Sequence, residues 1–354
     1  MKELLKNWDG EEVIIRYDQV TGAWIFIAIH STVLGPADGG IRIKYYDEVH
    51  FALNDALKLS RGMTYKFAIS GILRGGGKAV IKLPADFDPS QRQGLLERYG
   101  LLLKQLGGLY TTAPDIGSSS ADMDIIAKTG SPYVFGCTDK SNLNIPAGTF
   151  AAMGVFSGIQ TVCHYLYNTD AVRGKTVLVQ GIGHVGGKLV EYLDQAGAIV
   201  ICSDLDSKMM DRLPKNIRAH FIPANSVYHT ECDIFSPCAL GGILNAETIP
   251  QLACQAIVGA ANNQLSGPDD AERLHKRGIL YAPDYIVNVG EAMADLGMAD
   301  EEWRSERAKK EVSDGVRNTL KQVLDRAKQK NMSPETSASL LVEQRLKEGH
   351  EKIQ

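Results

Sequence analysis

Two stretches of the chain carry residue types whose spacing can do chemistry. The first is Gly181-Ile182-Gly183-His184-Val185-Gly186, which follows the apolar run Val177-Leu178-Val179-Gln180 and opens a segment of helical period reaching Ala196. A G-x-G-x-x-G between a strand and a helix can seat a dinucleotide pyrophosphate. Gly181 permits the tight turn, Gly183 lets the phosphates approach the backbone, and Gly186 lets helix and strand pack closely. Asp204 stands 23 residues after Gly181, at the end of the next strand-like run. A carboxylate there accepts hydrogen bonds from an adenosine ribose and repels a 2′-phosphate, so NAD is expected rather than NADP. The plainer readings are a strand-to-helix turn for the glycines and a helix N-cap for Asp204. Strand, glycines, helix and acid in this order favour the nucleotide.

The second stretch is Arg74-Gly75-Gly76-Gly77-Lys78. A phosphate-binding P-loop needs a glycine five residues before Gly77 and a Ser or Thr after the lysine, where this chain has Ile72 and Ala79. The glycines are therefore expected to let backbone and substrate come close, with Lys78 projecting from a strand end. Gly62-Met63-Thr64-Tyr65-Lys66 falls at an expected helix junction. Taken alone, Lys66 and Lys78 read as solvated surface lysines.

The surrounding pattern sorts into two domains. Residues 13–17 and 24–29 form an opening hairpin, a helix starts at Asp47 and ends near Gly62, and residues 78–83 alternate as a strand. Asp88-Pro89 caps a helix that stops at Gly107-Gly108. After Pro146, short apolar runs at 176–180, 199–204, 220–222, 233–235, 256–259 and 279–281 alternate with helical stretches. Runs buried on both faces and alternating with helices imply a parallel, doubly wound sheet. The expectation is an α/β chain with a mixed α/β substrate and oligomerisation domain over 1–140 and a Rossmann-type domain over 141–324. A cleft would separate them, and C-terminal helices from about 325 to 354 would return to the first domain.

Composition narrows the partners. Lys and Arg number 38 against 42 Asp and Glu, a net charge of -4, so no basic field exists for nucleic acid or an anionic membrane. The six cysteines show no C-x-x-C pair, and neither H-E-x-x-H nor zinc-spaced cysteines occur, so reduced thiols and no metal are expected. The charged N-terminus is unlike a signal peptide, and no apolar run reaches the ~20 residues of a spanning helix. A cytoplasmic protein with a small-molecule partner is expected.

Several motifs then occur in a fixed order: Gly35-Pro36-Ala37-x-Gly39-Gly40, Gly62 to Lys66, Gly75 to Lys78, Asp115 with Gly117, and the G-x-G-x-x-G. Pro237-Cys238-Ala239, Gly259-Ala260-Ala261-Asn262-Asn263-Gln264 and Tyr281-Ala282-Pro283-Asp284-Tyr285 follow. In this order the chain resembles the amino-acid dehydrogenase superfamily, in its leucine, valine, phenylalanine and tryptophan dehydrogenase branch. The resemblance implies NAD-dependent, reversible oxidative deamination of an L-amino acid to a 2-oxo acid and ammonia, in a homo-oligomer of two or more subunits. It gives Lys66 the substrate carboxylate, supported by Gly39, Gly40 and Met63. Lys78 would polarise the carbonyl or carbinolamine oxygen and activate water, with Asp115 as general acid and base. Asn262 would orient nicotinamide or substrate, and the cofactor site would extend to His184, Val185, Ala239, Ala260 and Asn288.

The chain departs from the family pattern where the substrate side chain is expected. Asp38 stands where members carry Leu, Met or Ala and where glutamate dehydrogenases carry a lysine. Glu291 replaces a glycine, Asp295 replaces an apolar pocket residue, and Ala151 replaces a threonine near the nicotinamide carboxamide. Unpaired carboxylates are costly to bury, so a cationic or N–H-donating substrate side chain is one expectation. The alternatives are a hydrophobic or aromatic substrate, with the acids bonded to Arg74, Arg42 or another protein group or turned to solvent. Of other classes, a 2-hydroxy-acid dehydrogenase lacks its His and Arg pair here. A non-catalytic NAD-binding protein would be expected to lose Lys66, Lys78 or Asp115, and all three are present.

Overall fold

The computed structural model describes residues 2–138, 145–301 and 303–353. The chain divides into two compact units, Met1–Asn144 with Val342–Gln354, and Ile145–Leu341. The boundary expected at 140/141 falls outside the described residues.

The first unit begins with a short helix α1 (Lys2–Lys6) and the expected hairpin, β1 (Glu12–Asp18) antiparallel to β2 (Ala23–Ser31). Next come β3 (Ala37–Tyr45), α2 (Val49–Ser70), β4 (Gly75–Leu83), α3 (Arg92–Gln105), β5 (Tyr110–Pro114) and α4 (Ser120–Gly130). The sheet order is β1-β2-β4-β3-β5, with β3 parallel to both its neighbours. One face packs Ile25, Ile27, Ile29, Ile41 and Ile81 against Leu95, Leu96, Tyr99 and Leu103 of α3. The other packs Phe26, Ala28 and Val80 against Ala52, Leu53, Ala56 and Leu57 of α2.

Helix α2 corrects the expected stop at Gly62. That glycine lies mid-helix, and the helix runs two further turns because Thr64, Phe67, Ala68 and Ile69 continue its buried face. Gly71, at φ 71° in the left-handed region that suits glycine, ends it.

The second unit holds α5 (Thr149–Tyr167), β6 (Thr176–Gln180), α6 (His184–Gln195), β7 (Ile199–Ser203), β8 (Ala219–Phe221), β9 (Cys232–Pro237) and β10 (Cys254–Ile257). It continues through α7 (Asp270–Lys276), β11 (Leu280–Tyr281), α8 (Asp284–Val287), α9 (Gly290–Asp300), α10 (Ser305–Lys330) and, up to Leu341, the start of α11 (Pro334–Ile353). Its six strands, ordered β11-β10-β9-β6-β7-β8, pair in parallel throughout, as the apolar runs required. The strand order reverses between β6 and β9, and such a switch point opens a crevice at the strands' carboxyl ends.

The return to the first unit begins at Val342 rather than near 325. Helix α10 stays with the second unit because Ala308, Val312, Val316, Leu320, Val323 and Leu324 form a buried stripe, and it packs on α5 and α9. In the returning segment, Arg345 Nη1 donates to Ala68 O at 2.6 Å and to Ile69 O at 2.5 Å, placing a cation at the carbonyl end of α2.

Candidate active site

Lys78 is the fourth residue of β4, so the expected glycine loop is part of a strand. Its closeness serves the protein's own packing: a Cβ on Gly76 would lie 2.1 Å from the Thr64 backbone nitrogen of α2. Met63 and Lys66 lie on α2 beside Thr64, both half-buried. Gly39 and Gly40 are buried in β3.

Lys78 is only 5% exposed, and its Nζ lies 3.2 Å from Asp115 Oδ2. Asp115 follows β5, its N–H donating to Ser118 Oγ at 2.9 Å. Arg42 Nε donates to the same Oδ2 at 2.8 Å, and Arg42 Nη1 donates to Asp55 Oδ2 at 3.0 Å and Oδ1 at 3.3 Å. Tyr46 OH donates to Asp55 Oδ2 at 2.6 Å. Burial pushes the Lys78 pKa below the ordinary lysine value; Asp115 opposes this and Arg42 adds to it. Burial works against charge on Asp115 as well, but Lys78 and Arg42 outweigh it and hold the carboxyl below the usual range. A lysine pushed toward its neutral form by desolvation, beside an ionised carboxylate, can take up a proton as a general base.

In the second unit the glycine loop has the required geometry. Gly181 sits at φ 89°, and a Cβ on Gly186 would lie 1.9 Å from Gly181 O. Gly183 stands at the N-terminus of α6, and a Cβ there would meet nothing within 4 Å, so the amide end of the helix is open to an anion. His184 and Val185 are the first helical residues, and Ala239 abuts Gly181. Asp204 Oδ2 accepts from Ile182 N–H at 2.9 Å, so the acid at the end of β7 also holds the loop. The N-cap of the next short turn is Asp206, whose Oδ1 accepts from Lys208 N–H at 3.0 Å.

Asn288 Nδ2 donates to Ala260 O at 3.1 Å and to Asn262 Oδ1 at 2.9 Å, which joins three expected cofactor residues. Among the described residues, Asn288 Oδ1 is buried with no hydrogen-bond partner, the state of an acceptor awaiting a donor. Two residues escaped sequence reasoning: Leu205, 89% exposed after Asp204, and Leu240, 68% exposed after Ala239. Exposed leucines directly beyond the acid and the loop present apolar surface there; their only sequence signal was position.

Glu291 has partners within the protein: its Oε2 accepts from Ala151 N–H at 3.2 Å, and the Gly148 and Phe150 amides also bond to it. Two departures from the family pattern therefore meet: the acid on α9 satisfies the amide end of α5, whose N-cap, Gly148, has no side chain. Burial nevertheless raises the Glu291 pKa above its ordinary value of 4.5, the amides only partly offsetting it. A carboxyl with a raised folded pKa contributes stability at low pH that is lost as pH climbs through that pKa. Glu291→Gln keeps an acceptor for the amides, so its melting temperature should fall less than the parent's over that climb; thermal melts across pH check this. Asp38 is buried on β3 and Asp295 half-buried on α9, and each residue interacts within the protein. Arg42 is taken by Asp115 and Asp55.

A parallel sheet with a glycine loop at its switch point, in one chain with a unit that buries a lysine against a carboxylate, defines an oxidoreductase of the amino-acid dehydrogenase class. Residues 15–131 match the family described as Glu/Leu/Phe/Val dehydrogenase, dimerisation domain, and residues 205–352 match Glutamate/Leucine/Phenylalanine/Valine dehydrogenase. The chain belongs to this family. It is 37% identical to leucine dehydrogenase of Geobacillus stearothermophilus over 97% of this chain and 92% of that one. It is 39% identical to valine dehydrogenase of Streptomyces virginiae over 95% and 93%. Among solved structures, L-tryptophan dehydrogenase from Nostoc punctiforme superposes with a TM-score of 0.81 at 34% identity, covering 98% of this chain and 100% of that one. Among the described residues no group of side chains is placed to hold a metal, and no helix is long and apolar enough to cross a membrane.

Proposed function

We propose that the chain catalyses the reversible oxidative deamination of an L-amino acid with an apolar or aromatic side chain, using NAD. The observation that carries the reading is the buried Lys78 Nζ at 3.2 Å from Asp115. NAD supplies the acceptor for the hydride that leaves the substrate Cα. The loop from Gly181 to Gly186 and the amide end of α6 would hold its pyrophosphate, Asp204 its ribose, and Asn262 and Asn288 its nicotinamide end. The open approach at Gly183 and the unpartnered Asn288 Oδ1 fit such a group.

The remaining work belongs to the first unit. Lys66 holds the substrate carboxylate, and Asp115 removes the ammonium proton so that the amine lone pair can assist hydride loss. Neutral Lys78 takes a proton from the water that attacks the resulting iminium carbon. Asp115 returns its proton to the carbinolamine nitrogen and, as the C–N bond breaks and ammonia leaves, takes the hydroxyl proton so that the 2-oxo acid forms. Each transfer needs a group held in the right protonation state: burial and Arg42 favour neutral Lys78, and Lys78 and Arg42 keep Asp115 ionised and able to accept.

An apolar side chain replaces the cationic one as the favoured substrate. The relatives are leucine and valine dehydrogenases, which supports an apolar substrate side chain. A homo-oligomer is part of the same proposal, since the family match over 15–131 is described as a dimerisation domain. The test is a panel of L-amino acids with NAD at alkaline pH, and of 2-oxo acids with ammonia and NADH. Leucine, valine, phenylalanine or tryptophan should exceed lysine and arginine in kcat/KM by ~10-fold or more, the scale of one or two methylenes in an apolar pocket. A clear win for lysine or arginine would restore the charged pocket.

A further inference from the structure

Arg42 has no part in the proposed chemistry, yet it is the most connected group around it. Its guanidinium is buried and spans two carboxylates, with Nε on Asp115 and Nη1 on Asp55. Asp55 is fixed in turn by the Tyr46 hydroxyl. We propose that Arg42 is a positioning residue for the Lys78 and Asp115 pair, and that Asp55 and Tyr46 tether it so that its charge and its Nε stay on one side of the Asp115 carboxylate.

Three observations support this. Arg42 and Lys78 both address Asp115 Oδ2, at 2.8 and 3.2 Å, which leaves Oδ1 without a protein partner among the described residues and available to an amine. A guanidinium does not lose its proton in a protein, so Arg42 is a permanent cation beside two groups that must exchange theirs. Its planar fork bridges two carboxylates along fixed directions, which a lysine ammonium does not do. Among the described residues, the charged groups that act on Lys78 are Asp115 after β5, Arg42 on β3 and Asp55 on α2. Its neighbour on β2 is the uncharged Ala28. Arg42 favours the neutral lysine and Asp55 the charged one, so the two substitutions have opposite signs.

The proposal rests on Lys78 and Asp115 as the chemical pair, and the experiment separates the two claims. The first readout is the pH dependence of kcat/KM for deamination of L-leucine with NAD. The second is the pH dependence of Lys78 acylation by an N-hydroxysuccinimide ester, followed by mass spectrometry, which needs no turnover. Deamination requires neutral Lys78, so Arg42→Gln should move the acid limb and the labelling curve upward by ~1 pH unit or more. Asp55→Asn should move both downward. Arg42→Lys should leave both curves near the parent's while lowering kcat by ~10-fold, because charge is kept and the bridge is lost.

A merely structural Arg42 would shift neither curve, or would shift them the same way in both charge-removing variants; either result in folded protein overturns the proposal. Should Arg42→Gln fail to fold, the isosteric Asp55→Asn decides alone, and an unmoved labelling curve overturns it. Opposed labelling shifts without turnover on any amino acid would uphold the charge-setting role of Arg42 and overturn the reaction assigned to the pair.

Discussion

Replacing Lys78 by alanine should lower kcat for deamination by ~100-fold or more, about 2.7 kcal/mol of transition-state stabilisation, the usual scale for a general acid or base. The same loss is expected for Asp115→Asn, which keeps the side-chain shape and removes the proton acceptor. The reason lies in how little replaces either group. Lys78 is buried with Asp115 as its direct ion partner, and the other cation on that carboxylate, Arg42, cannot take up a proton. Lys66→Ala should behave differently, raising KM for the amino acid more than it lowers kcat, because a carboxylate held equally in ground and transition states contributes uniform binding. Steady-state kinetics on variants with the parent's circular dichroism check this. Near-normal turnover of Lys78→Ala would remove the assigned role. A Lys66 variant that loses kcat without raising KM would exchange the two lysines' parts.

What the sequence made legible was local. The parallel sheet followed from apolar runs alternating with helices, and the loop from Gly181 to Gly186 followed from a motif whose three glycines act within six residues of one another. What it hid was carried by contacts between distant positions. Arg42 and Asp115 are 73 residues apart, and Ala151 and Glu291 are 140 apart, so neither the anchoring of the pair nor the capping of α5 has a signature in spacing. Glycine misled in both directions. Gly62 was read as a helix stop because its missing Cβ usually costs helix stability, yet buried residues on the next two turns of α2 outweigh that cost. Gly39 and Gly40 masked β3, since glycine disfavours strands unless something must come close; here a Cβ on Gly39 would lie 1.9 Å from Gly77 O of the adjoining strand β4. Asp38, Asp295 and Glu291 look like one acidic pocket in sequence, whereas the Glu291 carboxylate bonds to the amide end of α5, a contact across 140 residues.

Cofactor choice should follow from Asp204, and by a large factor. The parent enzyme should favour NAD over NADP in kcat/KM by at least ~100-fold, because a carboxylate facing the adenosine ribose opposes a phosphate on its 2′-oxygen at short range. Asp204 has a second task, since its Oδ2 accepts from Ile182 N–H at 2.9 Å and steadies the loop that would carry the pyrophosphate. Two substitutions separate these tasks. Asp204→Asn keeps an oxygen for the Ile182 amide and removes the charge, so NADP should gain while NAD loses little. Asp204→Ala removes both, so KM for NAD should rise as well. Measuring kcat/KM with each cofactor for the three proteins gives the answer. If Asp204→Asn leaves the NAD to NADP ratio where it was while Asp204→Ala weakens both cofactors alike, the acid only holds the loop, and selectivity must come from another group at the end of β7.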